Sequence, residues 1–96
     1  MLTLKEVEAE ALRIAREQFG AEQVKRTVVE SDIDSEGKDS LSITIVLKSI
    51  GLLTGMRLGK TSLDLIDYTY RNGDDRYPYT HYATEKEMKE LAARHD

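Results

Sequence analysis

Leu41-Ser42-Ile43-Thr44-Ile45-Val46-Leu47-Lys48 alternates large apolar residues with smaller or polar ones, the pattern of a half-buried strand. Leu41, Ile43, Ile45 and Leu47 then share one face of a sheet, with Ser42, Thr44, Val46 and Lys48 on the other. A layer of helices is needed over the first set. Immediately upstream, Val24 to Ile33 is rich in β-branched residues and is expected to be an antiparallel partner strand, joined through a turn at Asp34-Ser35-Glu36-Gly37-Lys38-Asp39. The expected register sets Ile33 opposite Leu41, Val29 opposite Ile45 and Thr27 opposite Leu47, with a bulge near Val28-Val29 as the feature able to shift it.

Working outward, Thr3 is a good N-cap for a first helix, with Glu6 at capping-box distance and Leu2 placed to pack on Val7. Leu4, Val7, Ala11, Leu12, Ile14, Ala15 and Phe19 make one apolar stripe, and Gly20 closes the helix. On the other side of the organising strand, Ser49 to Gly59 carries glycines at 51, 55 and 59. Each interior glycine costs a helix about 1 kcal/mol relative to alanine, so a loop or loosely wound approach is expected through Gly55 and on to Gly59. A helix follows with Leu63, Ile66 and Tyr70 as its stripe, Leu65 flanking it and Asn72-Gly73 at its end. Arg76 to Tyr82 reads as a third strand that Pro78 confines to an edge, with Tyr77, Tyr79 and His81 on one face. Thr84 caps a last short helix with Glu87 at its third position, and Met88, Leu91 and Ala92 give that helix a narrow apolar edge.

The fold class expected is α+β in the order α-β-β-α-β-α: a single domain over residues 1–96, with a three-stranded, mainly antiparallel sheet and helices packed on one face. Ninety-six residues allow one modest core. A formal charge of −4 argues against a nonspecific phosphate-backbone binder, which needs a basic stripe to displace counterions. The chain has no cysteine, which excludes disulfides, thiolate metal sites and cysteine nucleophiles. A charged amphipathic helix at the amino terminus and the lack of any long apolar run lead to the expectation of a cytoplasmic protein without a membrane segment.

Four stretches invite a chemical reading. Asp32-Ile33-Asp34-Ser35-Glu36-Gly37 matches the opening of a calcium loop, making Asp32, Asp34 and Glu36 candidate ligands for a divalent cation; no other cofactor is expected. The position that such a loop fills with a bidentate glutamate is Ile43, and the alternative is a hairpin tip whose charges discourage edge pairing. Thr54-Gly55-Met56-Arg57-Leu58-Gly59-Lys60-Thr61 comes within one residue of G-x-x-x-x-G-K-[ST], the phosphate-binding loop, with Thr54 in place of its first glycine. The element order also suggests a type II KH RNA-binding domain, although the glycine spacings are one residue longer than its G-x-x-G clamp. On either of these two readings Arg57 and Lys60 contact phosphate, and the whole is a small RNA- or nucleotide-binding domain using residues 51–61.

The fourth is the tyrosine set of Tyr68, Tyr70, Tyr77, Tyr79 and Tyr82 with His81. Tyrosine combines a large contact area with a polar tip and is favoured at protein interfaces. Ser42, Thr44, Val46, Tyr77, Tyr79 and His81 are therefore the candidate interaction surface on the open side of the sheet, available to another protein or to a second copy; half-buried core positions with wet hydroxyls are the alternative. No serine, histidine and acid grouping assembles from spacing, and His95 sits at the end of the chain.

Asp32-Ile33-Asp34-Ser35-Glu36-Gly37 before the strand at 41–47, then Gly73-Asp74-Asp75-Arg76-Tyr77-Pro78-Tyr79 and Tyr82-Ala83-Thr84-Glu85, together resemble a group of small uncharacterised bacterial α+β proteins. The resemblance covers about two thirds of the chain and is looser in the middle helix. It implies a bacterial cytoplasmic protein that accompanies another gene product and brings no catalytic residues. The expectation is a non-enzymatic interaction module, an accessory subunit or toxin-neutralising partner, with RNA or nucleotide binding through 51–61 as its competitor.

Overall fold

The computed structural model describes residues 1–94, so His95 lies outside the described residues. Helix α1 (Leu4–Phe19), strands β1 (Val24–Ile33) and β2 (Asp39–Leu47), a 3-10 turn (Ile50–Leu52), α2 (Gly55–Arg71), β3 (Tyr77–Thr84) and α3 (Glu85–Arg94) follow one another. The class is α+β in the order read from the sequence. β2 is the central strand of three. It pairs antiparallel with β1 and parallel with β3, so the sheet is mixed. The parallel pair is joined through α2, because parallel neighbours need a long crossover where antiparallel ones need only a hairpin.

α1 begins at the predicted capping box. The Thr3 hydroxyl accepts from Glu6 N–H at 3.1 Å, and the Glu6 carboxylate accepts from Thr3 N–H at 3.0 Å. Both bonds satisfy amides that the first helical turn leaves without partners. Val7, Ala11 and Ile14 pack with Val29, Leu41, Ile43 and Leu65, while Ala15 and Phe19 pack with Val24, Ile45 and Leu47. The four alternating apolar residues of β2 are all fully buried. Thr27, on the same covered face, donates to the Glu8 carbonyl at 2.8 Å and ties β1 to α1.

The hairpin register differs from expectation by two residues. Ile33 pairs with Asp39, Val29 with Ile43 and Thr27 with Ile45. The cause is a tighter turn. Asp34 N–H donates to the Lys38 carbonyl at 2.9 Å, and the Asp34 carboxylate accepts from the amides of Glu36 and Lys38. Gly37 takes a φ of +80° that a residue with a Cβ adopts only at a cost. A slip of two keeps every side chain on its face, so the division into covered and open faces is unaffected. The register shift lies between Val24 and Arg26 rather than at Val28-Val29.

The glycine segment also departs from expectation. Ser49 caps the short 3-10 turn, and Thr54 caps α2 by accepting from Arg57 N–H at 3.3 Å, so the helix starts at Gly55 and runs through Gly59. Nor does α2 bury the predicted stripe. Thr61, Leu65 and Thr69 face inward, whereas Leu63 is 67% and Tyr70 82% exposed. Threonine is tolerated here because its hydroxyl bonds back along the helix: Thr61 to the Arg57 carbonyl at 2.7 Å and Thr69 to that of Ile66 at 3.0 Å. That leaves its methyl for packing. α2 ends at Asn72-Gly73 as expected, Gly73 at φ +70°.

Among the described residues, Asp74 and Arg76 form a buried ion pair. Asp74 is 3% exposed; it accepts from Arg76 Nε at 2.9 Å and Nη2 at 2.6 Å, and from Leu2 N–H at 3.3 Å. Arg76 Nη2 also donates to the Leu2 carbonyl at 2.8 Å. The pair therefore fastens the start of α1 to the segment between α2 and β3. The Arg76 guanidinium's hydrogen bonds outweigh burial and hold the Asp74 carboxyl down, from its ordinary 3.8 to about 2.

Candidate functional site

The alternation of β2 that buries Leu41 to Leu47 turns its other residues to the opposite side. Across the three strands that side is built of the rows Asp32-Ser40-Tyr77, Glu30-Ser42-Tyr79, Val28-Thr44-His81 and Arg26-Val46-Ala83. Ser42, Thr44, Val46, Tyr77, Tyr79 and His81 are thus brought onto one face. They are not equally accessible. Tyr77, Tyr79 and His81 are exposed, Ser42 and Thr44 are half-buried, and Val46 is fully buried.

The burial of Val46 traces to α3. β3 passes into this helix with no loop, and Thr84 caps it: Glu87 N–H donates to the Thr84 hydroxyl at 3.3 Å, and Thr84 N–H to the Glu87 carboxylate at 3.1 Å. α3 therefore lies over the Arg26-Val46-Ala83 end of this face instead of joining α1 and α2. Arg26 Nε donates to the Glu85 carboxylate at 2.8 Å, linking the far strand to the helix and lowering the Glu85 pKa. The rest of the face is left unroofed.

Between α3 and the unroofed rows runs a groove of about 670 Å³. Val28, Thr44 and Ala83 line it from the strands, and Met88 and Leu91 from the helix. Its charged lining residues are Glu30, Glu87 and Glu90, with no lysine or arginine among those described. His81 also borders a smaller hollow of about 240 Å³ that reaches Tyr79, Ser42 and the hairpin residues Asp32 and Asp34. Beside it, the rings of Tyr77 and Tyr79 lie 4.7 Å apart between centroids at a tilt of 54°. Desolvation, then the nearby Asp34 carboxylate, raises the Tyr79 phenol pKa. Such a surface offers apolar contact and carboxylate acceptors, and suits a ligand that is apolar and positively charged.

Tyr82 belongs to the opposite face. Its ring meets Phe19 edge-on at 5.8 Å, and burial raises its phenol pKa. Tyr68 is half-buried against the α1 side of the core, and Tyr70 stands clear of it.

The other candidate residues lie elsewhere. Asp34 spends its carboxylate on the turn amides, Asp32 accepts from Ile33 N–H at 2.8 Å, and Glu36 sits 3.6 Å from Lys38 Nζ. Among the described residues, no three acidic or histidine side chains gather closely enough to hold a metal ion. Arg57 and Lys60 are exposed on the first turns of α2, with Lys60 Nζ 3.4 Å from Asp64. Residues 55–61 are wound into helix, and Thr61 is fully buried with its hydroxyl bonded to the Arg57 carbonyl. A phosphate-cradling loop needs free amides ahead of the helix and a hydroxyl open to the metal, and this segment offers neither.

The sequence reading missed Val28, Glu30, Met88 and Leu91 as parts of the groove. Two signals pointed to them: Val28 and Glu30 share the parity of the open face in β1, and the apolar edge of α3 needed something to pack on. Comparison with protein-family models, with curated proteins and with solved structures gives no match. Among the described residues, no helix is long and apolar enough to cross a membrane.

Proposed function

We propose that this protein is a non-enzymatic interaction module whose half-roofed sheet face receives an apolar, positively charged segment of a partner protein. The observation that carries the reading is the groove beneath α3, lined by the apolar Val28, Ala83, Met88 and Leu91 and bordered by Glu30, Glu87 and Glu90 without an opposing lysine or arginine among the described lining residues. A basic segment with one or two apolar anchors would bury the anchors against Val28, Met88 and Leu91 and neutralise the rim, the division of labour found at protein interfaces. The exposed tyrosine pair extends the contact surface at little cost in side-chain entropy. An accessory or toxin-neutralising role in a bacterial cytoplasm fits such a module and matches what the resemblance of the hairpin and carboxyl-terminal motifs implies.

The test is affinity capture of the tagged protein from its own organism's lysate, with and without nuclease, using the wild type beside Thr44→Arg, which fills and recharges the groove. The expected result is a basic partner retained after nuclease treatment, released by roughly 0.5 M salt and lost from Thr44→Arg. Equal retention by the variant would remove the groove from the reading. Retention abolished by nuclease would replace the reading with RNA binding.

A further inference from the structure

The stripe that α2 withholds from the core has its own periodicity. Met56, Gly59, Leu63, Ile66, Tyr70 and Gly73 recur at alternating steps of three and four, the seam pattern of a helix that pairs with another helix. Met56 is 86%, Leu63 67% and Tyr70 82% exposed, and Ile66 is half-buried. At 100° per residue the centre of this stripe lies about 140° round the helix from the buried Thr61-Leu65-Thr69 side, so it forms an outward ridge about 21 Å long. Its flanks differ. One side carries Lys60 and Asp67; the other carries Gly55, Ser62 and the buried Thr69, small residues on the side nearer the core.

We infer that two copies of this chain pair through α2, antiparallel across a twofold axis, with Leu63 of each copy against Ile66 of the other. A twofold interface must be complementary to itself, and α2 meets that condition in two ways. Antiparallel alignment places Lys60 of each copy beside Asp67 of its partner, forming two opposite-charge contacts on one flank. It also sets Tyr70 of each copy over Gly59 of the other, where no atom outside the helix lies within 4 Å of the position a Cβ would take. A parallel pair would place Lys60 beside Gly55 and Asp67 beside Ser62, adding no contact between copies to the pairs that Lys60 makes with Asp64 and Asp67 with Arg71 on its own helix. Antiparallel packing also opposes the two helix dipoles favourably. The ridge and the groove under α3 are on opposite sides of the sheet, so the dimer presents two grooves and can hold a bivalent partner with the gain that linkage brings.

Sedimentation equilibrium on the whole chain tests the inference without the partner, and so independently of the groove. The wild type is expected to move from 10.9 kDa toward twice that mass as concentration rises from about 5 to about 500 μM, the range of a modest interface. Leu63→Glu is expected to stay monomeric with an unchanged circular dichroism spectrum, since Leu63 supports no core. Two charge swaps, Lys60→Asp with Asp64→Lys and Asp67→Lys with Arg71→Asp, each keep the opposite-charge pair within the helix; either swap alone should weaken association roughly tenfold by opposing like charges between copies, and the two together should restore it. A wild type that stays monomeric throughout, or a dimer indifferent to Leu63→Glu, would overturn the inference. Failure of the double exchange to restore association would overturn its antiparallel register.

Discussion

On one side of β2, Leu41, Ile43, Ile45 and Leu47 are sealed beneath α1 and α2. On the other, Ser42 and Thr44 remain half-open, while Val46 is covered by α3 and Ser40, at the hairpin end, is also buried. The two sets alternate along a single strand, so neither local propensity nor position in the chain separates them. What separates them is how much helix lies over each. Two long helices close the first face; the ten residues of α3, reached without a loop, roof only one end of the second. The first face accounts for stability, and the second is where surface is left for binding.

The sharpest way to break this contrast is to cut into the sealed face. Ile43→Ala is expected to cost about 4 kcal/mol, because it removes buried methylenes between two helices that cannot collapse fully into the space. Urea unfolding followed by circular dichroism measures it; a cost below about 1 kcal/mol would mean the face is not close-packed. Next in size is the polar strap at the edge of the same core. Asp74→Asn is expected to cost about 3 kcal/mol by leaving Arg76 buried without its counter-charge. Because the folded Asp74 pKa is depressed, from 3.8 to about 2, its contribution is complete above about pH 4 and is lost as pH falls toward 2. The wild type should therefore lose stability across that interval faster than Asp74→Asn does. Parallel acid limbs in a pH series of urea midpoints would assign the acid sensitivity to other groups.

The smallest effect belongs to the open face. Thr44→Val, at the centre of β2 and nearly isosteric, should change stability by no more than about 0.5 kcal/mol. A change several times larger would mean that this face is more completely covered than its half-burial indicates. Together the three variants grade the molecule from sealed core to open face.

Much of the fold is legible in the residues. The alternation at 41–48, the Thr3–Glu6 and Thr84–Glu87 capping boxes and the Asn72-Gly73 stop each express a local rule. All four hold because local hydrogen bonding and side-chain parity do not depend on distant parts of the chain. The errors occur where two readings satisfy the same local rule. Connections of seven residues, 34–40, and of five, 34–38, place the hairpin in registers that keep the same faces. α2 carries two stripes, Leu63-Ile66-Tyr70 and Thr61-Leu65-Thr69, and the more hydrophobic one is left outside. Hydropathy alone favours the wrong stripe, because it assigns no value to threonine hydroxyls that bond back to their own helix.

By itself, then, the sequence determined the order of elements, their caps and the partition of β2 into two faces, since these follow from backbone periodicity and nearest-neighbour hydrogen bonds. Only the tertiary structure decided that β3 runs parallel to β2, that α3 crosses to the open face, that Asp74 and Arg76 fasten the amino terminus, and which side of α2 meets the core. Each of those depends on residues far apart in the chain competing for the same contact, and that competition is resolved only when the layers close around one another.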